Sequence, residues 1–239
     1  MTKFYKKNGL LFAILWIVIY VVGLSIADNI SVSIGIEKSI TVFVCLVMTV
    51  VICNWIKKND LLEVYGLCKC EIEAKKLLYY VPLIIMASVN LWFGVAFHLS
   101  LLETALYILS MLMVGFLEEI IFRGFLFVEM CKDNVKTAMI VSSITFGIGH
   151  IANLFNGSGA DLFSNILQVI YAIAGGFLFT VLFYKTRSLW ACIITHSVLN
   201  ALSVFANESA MTQTREIVSA GMLTIISVTY AIYILKRVE

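Results

Sequence analysis

The chain has 239 residues, of which 61% are hydrophobic and 13% charged, with a formal net charge of +2. Soluble domains carry about 25% charged residues, so this composition, with a mean hydropathy of +0.98, excludes a soluble globular domain and makes the lipid bilayer the solvent. No nucleic-acid signal is present, and the six cysteines (Cys45, Cys53, Cys68, Cys70, Cys131 and Cys192) lack the C-x-x-C spacing of a zinc or redox site and read as small apolar fillers.

Apolar runs separated by short polar stretches predict an all-α, polytopic transmembrane helical bundle of about eight spans. In chain order these are Gly9 to Ala27, Ser39 to Ile56, Leu77 to Phe97, Thr104 to Met130, Lys136 to Asn153, Ser164 to Tyr184, Leu189 to Ala206 and Ile217 to Leu235. No linker or repeat interrupts them, so residues 1–239 read as a single membrane domain. The first run follows Lys3, Lys6 and Lys7 and ends at Ser25-Ile26-Ala27, as a signal peptide would. Its ~19 apolar residues exceed the roughly 7 to 15 of a signal core, which favours an uncleaved anchor.

With a cytoplasmic N-terminus, fourteen of the 17 Lys and Arg residues fall on inside segments. Only Lys38 and Arg215 fall outside, and Arg123 lies within a helix. The positive-inside rule then places both termini, Asn59 and Asp133 in the cytoplasm, and Asn156 and Glu208 outside. No eukaryotic organelle signal is read, which points to a bacterial plasma membrane. The inside segment from Lys57 to Lys76 mixes Leu61, Leu62, Val64, Tyr65 and Leu67 with charges, the pattern of an interfacial helix or a solvated loop. Pro82, the only proline, falls early in the third span, where a helix tolerates it best.

The fourth span contains Glu118-Glu119-Ile120-Ile121-Phe122-Arg123-Gly124, two acids and a base in an apolar helix. Each ionised group at mid-depth costs at least about 2.5 kcal/mol on insertion scales, so this side must face protein or water. Glu119 and Arg123 stand four apart, acid before base, the favourable order for an ion pair on one helix face. Glu118 is rotated away by about 100° and keeps no partner on its own helix, which leaves it free for acid or base chemistry. The plainer reading is a structural polar knot between helices.

The fifth span ends in Phe146-Gly147-Ile148-Gly149-His150 and the seventh contains His196-Ser197-Val198-Leu199-Asn200, so each histidine has a companion one turn away. Histidine is a common metal ligand and general base, although a lone one in a membrane helix also serves as a hydrogen-bonding strut. His98 sits at an outer helix end beside Ser100 and Glu103 and is assigned no role. At about 1.5 Å per residue, Glu118, His150 and His196 lie about 18, 21 and 11 Å from the cytoplasmic helix ends. They are expected to meet around one water-accessible cavity opening toward the cytoplasm or the lipid. Gly147, Gly149, Gly175 and Gly176 would let helices approach closely there.

The ordered set Glu-Glu-x-x-x-Arg-Gly, Phe-x-x-x-His and His-x-x-x-Asn on successive membrane helices resembles the CAAX prenyl protease and bacteriocin-processing family, also called the Abi family, of intramembrane endopeptidases. Tyr184-Lys185-Thr186-Arg187-Ser188-Leu189-Trp190 is similar to the family's approach to its last motif. The resemblance covers a catalytic core of about residues 111–200, from Met111 to Asn200. It implies that Glu118 activates water, that Glu119 and Arg123 are the neighbouring pair, and that His150 is the second catalytic position. It also implies that His196 and Asn200 bind or stabilise the reacting carbonyl.

The family is commonly labelled metalloprotease, and Glu118, His150 and His196 would give Zn2+ three ligands and leave a fourth position for water. No H-E-x-x-H is present, so a metal-free glutamate mechanism stays open. The implied partners are a membrane-associated peptide or protein substrate and the lipid bilayer, with no nucleic acid. Two rival readings share these residues. One is a transporter or proton relay; the other is a non-catalytic immunity or regulatory protein that binds a membrane peptide.

Overall fold

The computed structural model describes residues 1–155 and 161–238, and among these the chain is helical, with one isolated bridge between Val95 and Ala206 and no strand. Asn156, expected outside, lies beyond the described residues. Eight helices build the bundle: α1 (Gly9–Ile34), α2 (Ser39–Lys58), α3 (Val81–Ala87), α4 (Leu101–Glu118), α5 (Val135–Gly149), α6 (Leu162–Thr186), α7 (Trp190–Leu202) and α8 (Gln213–Arg237). A six-residue helix, Thr2–Lys7, precedes them.

Short polar residues start these helices. Asn8 accepts from Leu11 N at 2.9 Å and Asn134 from Thr137 N at 2.9 Å, while Ser100 and Glu103 form a capping box at α4. Gly35, at φ +78°, ends α1 in the left-handed conformation.

Among the described residues six helices are long and apolar enough to cross a bilayer: α1, α2, the continuous helix Leu101–Met130, Val135–Leu154, α6 and α8. Val18, Phe43, Ile194 and Ile225 are exposed on helix surfaces, which suits acyl chains and not water. The protein is therefore an integral membrane protein. Two of the eight expected segments are not long helices. Trp190–Phe205 is shorter than the roughly 20 residues of a full span.

The segment predicted as a continuous helix from Leu77 to Phe97 is broken, because Leu78, Tyr79 and Tyr80 adopt φ of 50°, 51° and 60° and only the seven residues of α3 follow as α-helix. Its freed backbone groups find partners inside the protein, as non-helical backbone at membrane depth requires. Tyr230 Oη donates to the Leu77 carbonyl at 2.8 Å, and Ala96 N donates to the Phe205 carbonyl at 3.0 Å.

The segment after α2 is not an interfacial helix but a largely exposed series of turns, docked on the bundle at Tyr65 and Gly66. Tyr65 is buried, 5.1 Å from Phe125 between ring centroids, and Leu189 N donates to the Gly66 carbonyl at 2.8 Å. In the bundle, α4 packs between α2 and α7, while α6 packs between α5 and α8. Gly115 sets the α4–α7 distance, since a Cβ there would stand 2.5 Å from Ser197 N.

Candidate intramembrane active site

The site begins where the pitch of the fourth helix changes. Glu118 ends α4, and Glu119 opens a π-helix, Glu119–Phe127, whose nine residues are all buried. π-helical turns are rare and are frequent at functional sites. The Phe122 carbonyl in this stretch accepts from Ser142 Oγ of α5 at 2.9 Å, which fixes α5 against the turn.

Around that turn the side chains form one contact network. Glu119 Oε1 lies 2.7 Å from His196 Nδ1 and accepts from Arg123 Nη1 at 3.1 Å, with both Glu119 and Arg123 fully buried. Glu118 Oε2 lies 3.1 Å from His196 Nε2, and Glu118 Oε1 accepts from Tyr20 Oη at 2.8 Å. His196 thus stands between two carboxyl groups, one at each ring nitrogen. Arg123 Nε and Nη2 have no hydrogen-bond acceptor among the described residues. Its guanidinium lies instead over the faces of Phe146, at 4.1 Å, and Phe179, at 5.7 Å, a favourable electrostatic contact in desolvated surroundings.

Phe146 also ties the two histidines together, with His150 at 5.2 Å and His196 at 5.6 Å between ring centroids. A cavity of about 370 Å³ is lined by Glu118, His150 and Asn200, and an adjoining one of about 70 Å³ by His150, His196 and Asn200. The histidine-bearing segments are held by polar side chains: Asn165 Nδ2 donates to the His150 carbonyl at 2.8 Å, and Ser197 Oγ to that of Leu112 at 2.9 Å.

The larger cavity follows α1 and α4 away from Glu118. It reaches Asp28 and Lys38 beside the α1–α2 turn, at the helix ends opposite the N-terminus. On the other side Ile120, Ile121, Phe125 and Leu126 are buried and close the floor.

The zinc set expected from Glu118, His150 and His196 does not fit a metal in this arrangement. Among the described residues no three His, Cys, Asp or Glu side chains are grouped so as to hold an ion. The physical reason is that both ring nitrogens of His196 already face carboxyl oxygens.

Among the expected close-approach glycines, Gly147 and Gly176 meet neighbours, Ile173 in one case and Arg123 and Phe146 in the other. Gly149 and Gly175 have open space where a Cβ would stand. His98 Nε2 lies 3.0 Å from the Ala206 carbonyl oxygen, a local tie between the start of α4 and the end of α7. The sequence reading missed Tyr20, Asn90, Asn165 and Gly115. Tyr20 carried a signal, because a phenol in the middle of an apolar span must find a hydrogen-bond partner when buried.

A polytopic helical membrane protein with a carboxyl–imidazole site enclosed by its helices is the class that fold and site define. Residues 99–202 match the model of the family described as type II CAAX prenyl endopeptidase Rce1-like. Over 98 residues, 41% of this chain, it is 35% identical to YdiL, a membrane-peptidase candidate of Bacillus subtilis (strain 168). The match spans 35% of the length of that curated relative. No solved structure matches the chain. The family resemblance is thus borne out over residues 99–202, the segment that carries Glu118, Glu119, Arg123, His150, His196 and Asn200, and it supports a membrane protease.

Proposed function

We propose that this protein is an intramembrane endopeptidase that hydrolyses a peptide bond of a membrane-associated protein or peptide with water activated by Glu118. The observation that carries the reading is the 3.1 Å approach of Glu118 to His196 Nε2 beside a cavity that Glu118 shares with His150 and Asn200. Glu119, paired with Arg123, accepts the proton of Nδ1, which directs Nε2 at Glu118. Two facing acceptors at that distance require a proton between them, so Glu118 and His196 act as one proton-sharing couple.

The couple takes a proton from water as the water oxygen attacks the carbonyl carbon, and returns it to the amide nitrogen as the C–N bond breaks. A carboxylic acid and an amine are the products. His150 and Asn200, on the cavity wall, are the groups assigned to hydrogen-bond the carbonyl oxygen as it becomes an oxyanion. His196 thereby moves from the carbonyl-binding role that the resemblance implies to the proton couple, and His150 moves the other way. A transporter reading finds no comparable support, because the packed π-helix closes the site on one side.

The test is mass spectrometry of membrane peptides incubated with the purified protein, native against Glu118→Gln. Cleavage by the native protein alone is the expected result. Equal cleavage by both, or binding without cleavage by the native protein, overturns the reading.

A further inference from the structure

We infer that Tyr20 is a positioning residue of this site: its hydroxyl fixes one oxygen of Glu118 so that the other addresses His196 and the cavity. The inference rests on Glu118 being the base proposed above. It goes beyond the family match, because Tyr20 lies on α1, outside residues 99–202.

Three observations carry it. Tyr20 is 5% exposed although the helix around it shows an apolar, outward-facing surface at Leu15, Val18, Ile19 and Val22. Its hydroxyl donates to Glu118 Oε1 at 2.8 Å, a contact between residues 98 apart in the chain. Tyr20 also lines the cavity that holds Glu118, His150 and Asn200, so the bond sits at the wall of the site and not behind it.

The terminal torsion of a glutamate is broad and roughly two-fold, so a carboxyl group held at one oxygen only is free to turn. Tyr20 at Oε1 and His196 at Oε2 hold it from both sides. Each carboxylate oxygen has two lone pairs, so both keep capacity for a water in the cavity. Without the phenol, the carboxyl group rotates and its aim at the attacking water is lost, while the substrate-binding walls stay in place.

The experiment uses the full chain in detergent or nanodiscs and a fluorescence-quenched peptide carrying the sequence cleaved in the screen above. Tyr20→Phe removes one oxygen and keeps the ring. It is expected to lower kcat about tenfold or more, as a displaced catalytic group does, with KM within about twofold of native. Replacement of Tyr20 by 4-aminophenylalanine restores a donor at the same place and is expected to recover most of kcat. A purely structural phenol would give equal behaviour for the two variants.

The inference is overturned if Tyr20→Phe keeps native kcat, if its loss is all in KM, if the amino variant gives no rescue, or if Tyr20→Phe fails to fold. Failure of the protease reading is distinguishable, since then the native protein cleaves nothing or Glu118→Gln cleaves equally well.

Discussion

Glu119 meets His196 Nδ1 and Arg123 Nη1 with the same oxygen, Oε1, at 2.7 and 3.1 Å. A single buried atom therefore joins the ion pair of the fourth helix to the imidazole of α7, 77 residues further along the chain. The Arg123 guanidinium stands beside the carboxyl oxygen that faces Nδ1, and in the mechanism proposed above Glu119 takes the Nδ1 proton, which turns Nε2 toward Glu118. On that proposal the pair that looks structural in the sequence orients the neighbouring histidine, as an orienting carboxylate does for a reactive imidazole.

That linkage predicts the outcome of breaking it. Glu119→Gln and Arg123→Gln each leave a buried charge without its partner, which costs about 3 to 5 kcal/mol, so both single variants should unfold at lower temperature than native protein in the same detergent. The double change removes both charges and should cost less than the two single changes added together. Simple additivity in the thermal midpoints would show that the residues are not energetically a pair.

Close packing gives a second contrast. A Cβ at Gly115 would stand 2.5 Å from Ser197 N, a backbone atom beside His196, whereas at Gly175 no neighbour lies within 4 Å. Gly115→Ala should therefore push α7 away from α4, costing about 1 to 3 kcal/mol as overpacking does, and lower peptide cleavage by moving His196 off Glu118. Gly175→Ala should be stable and active. Equal behaviour of the two in a thermal-shift and cleavage comparison would contradict the packing argument.

How far the sequence discloses this arrangement depends on how local each feature is. Spans such as Ser39 to Ile56, observed as Ser39–Lys58, are legible because apolar runs of that length have few other fates. The ordered acids and histidines are legible because each is costly in lipid and needs a reason to be there. The π-helix at Glu119–Phe127 is not, since its stabilising contact, Ser142 to the Phe122 carbonyl, comes from another helix. Nor is the break before α3, where the Leu77 carbonyl is satisfied by Tyr230, 153 residues away. The Tyr20–Glu118 bond is of the same kind, and only the question of where a mid-span phenol finds its partner points to it.

Orientation in the membrane is the third prediction. Asp60 and Asp133 lie at the helix ends that carry Lys57, Lys58 and Lys132, and Glu208 follows α7 at the other end. The concentration of basic residues predicts that the first end faces the cytoplasm. Single cysteines placed at positions 60 and 133 in a cysteine-free background should react with an impermeant maleimide only after the cells are opened, and one at position 208 in intact cells. The reverse pattern would invert the topology and, with it, the side from which the cavity near Asp28 and Lys38 is reached.

The last prediction concerns the metal. A catalytic zinc needs three protein ligands whose lone pairs converge on one point, with a fourth position left for water. Here His196 offers Nδ1 to Glu119 at 2.7 Å and Nε2 to Glu118 at 3.1 Å, so neither nitrogen is free for an ion while those contacts hold. Moving His196 onto a metal would also strip Glu119 of one of its two partners in a fully buried place, a loss that a buried charge tolerates poorly. Glu118 is engaged in the same region by Tyr20 and by His196. The purified, active protein should accordingly contain well under one zinc per chain, and cleavage should survive 1,10-phenanthroline. His196→Gln should abolish cleavage with or without added Zn2+, because the proton couple is lost in either case. One tightly bound zinc per chain, together with inhibition by the chelator that Zn2+ reverses, would show that the Glu118–His196 couple opens to admit a metal and would replace the glutamate mechanism with a zinc-assisted one.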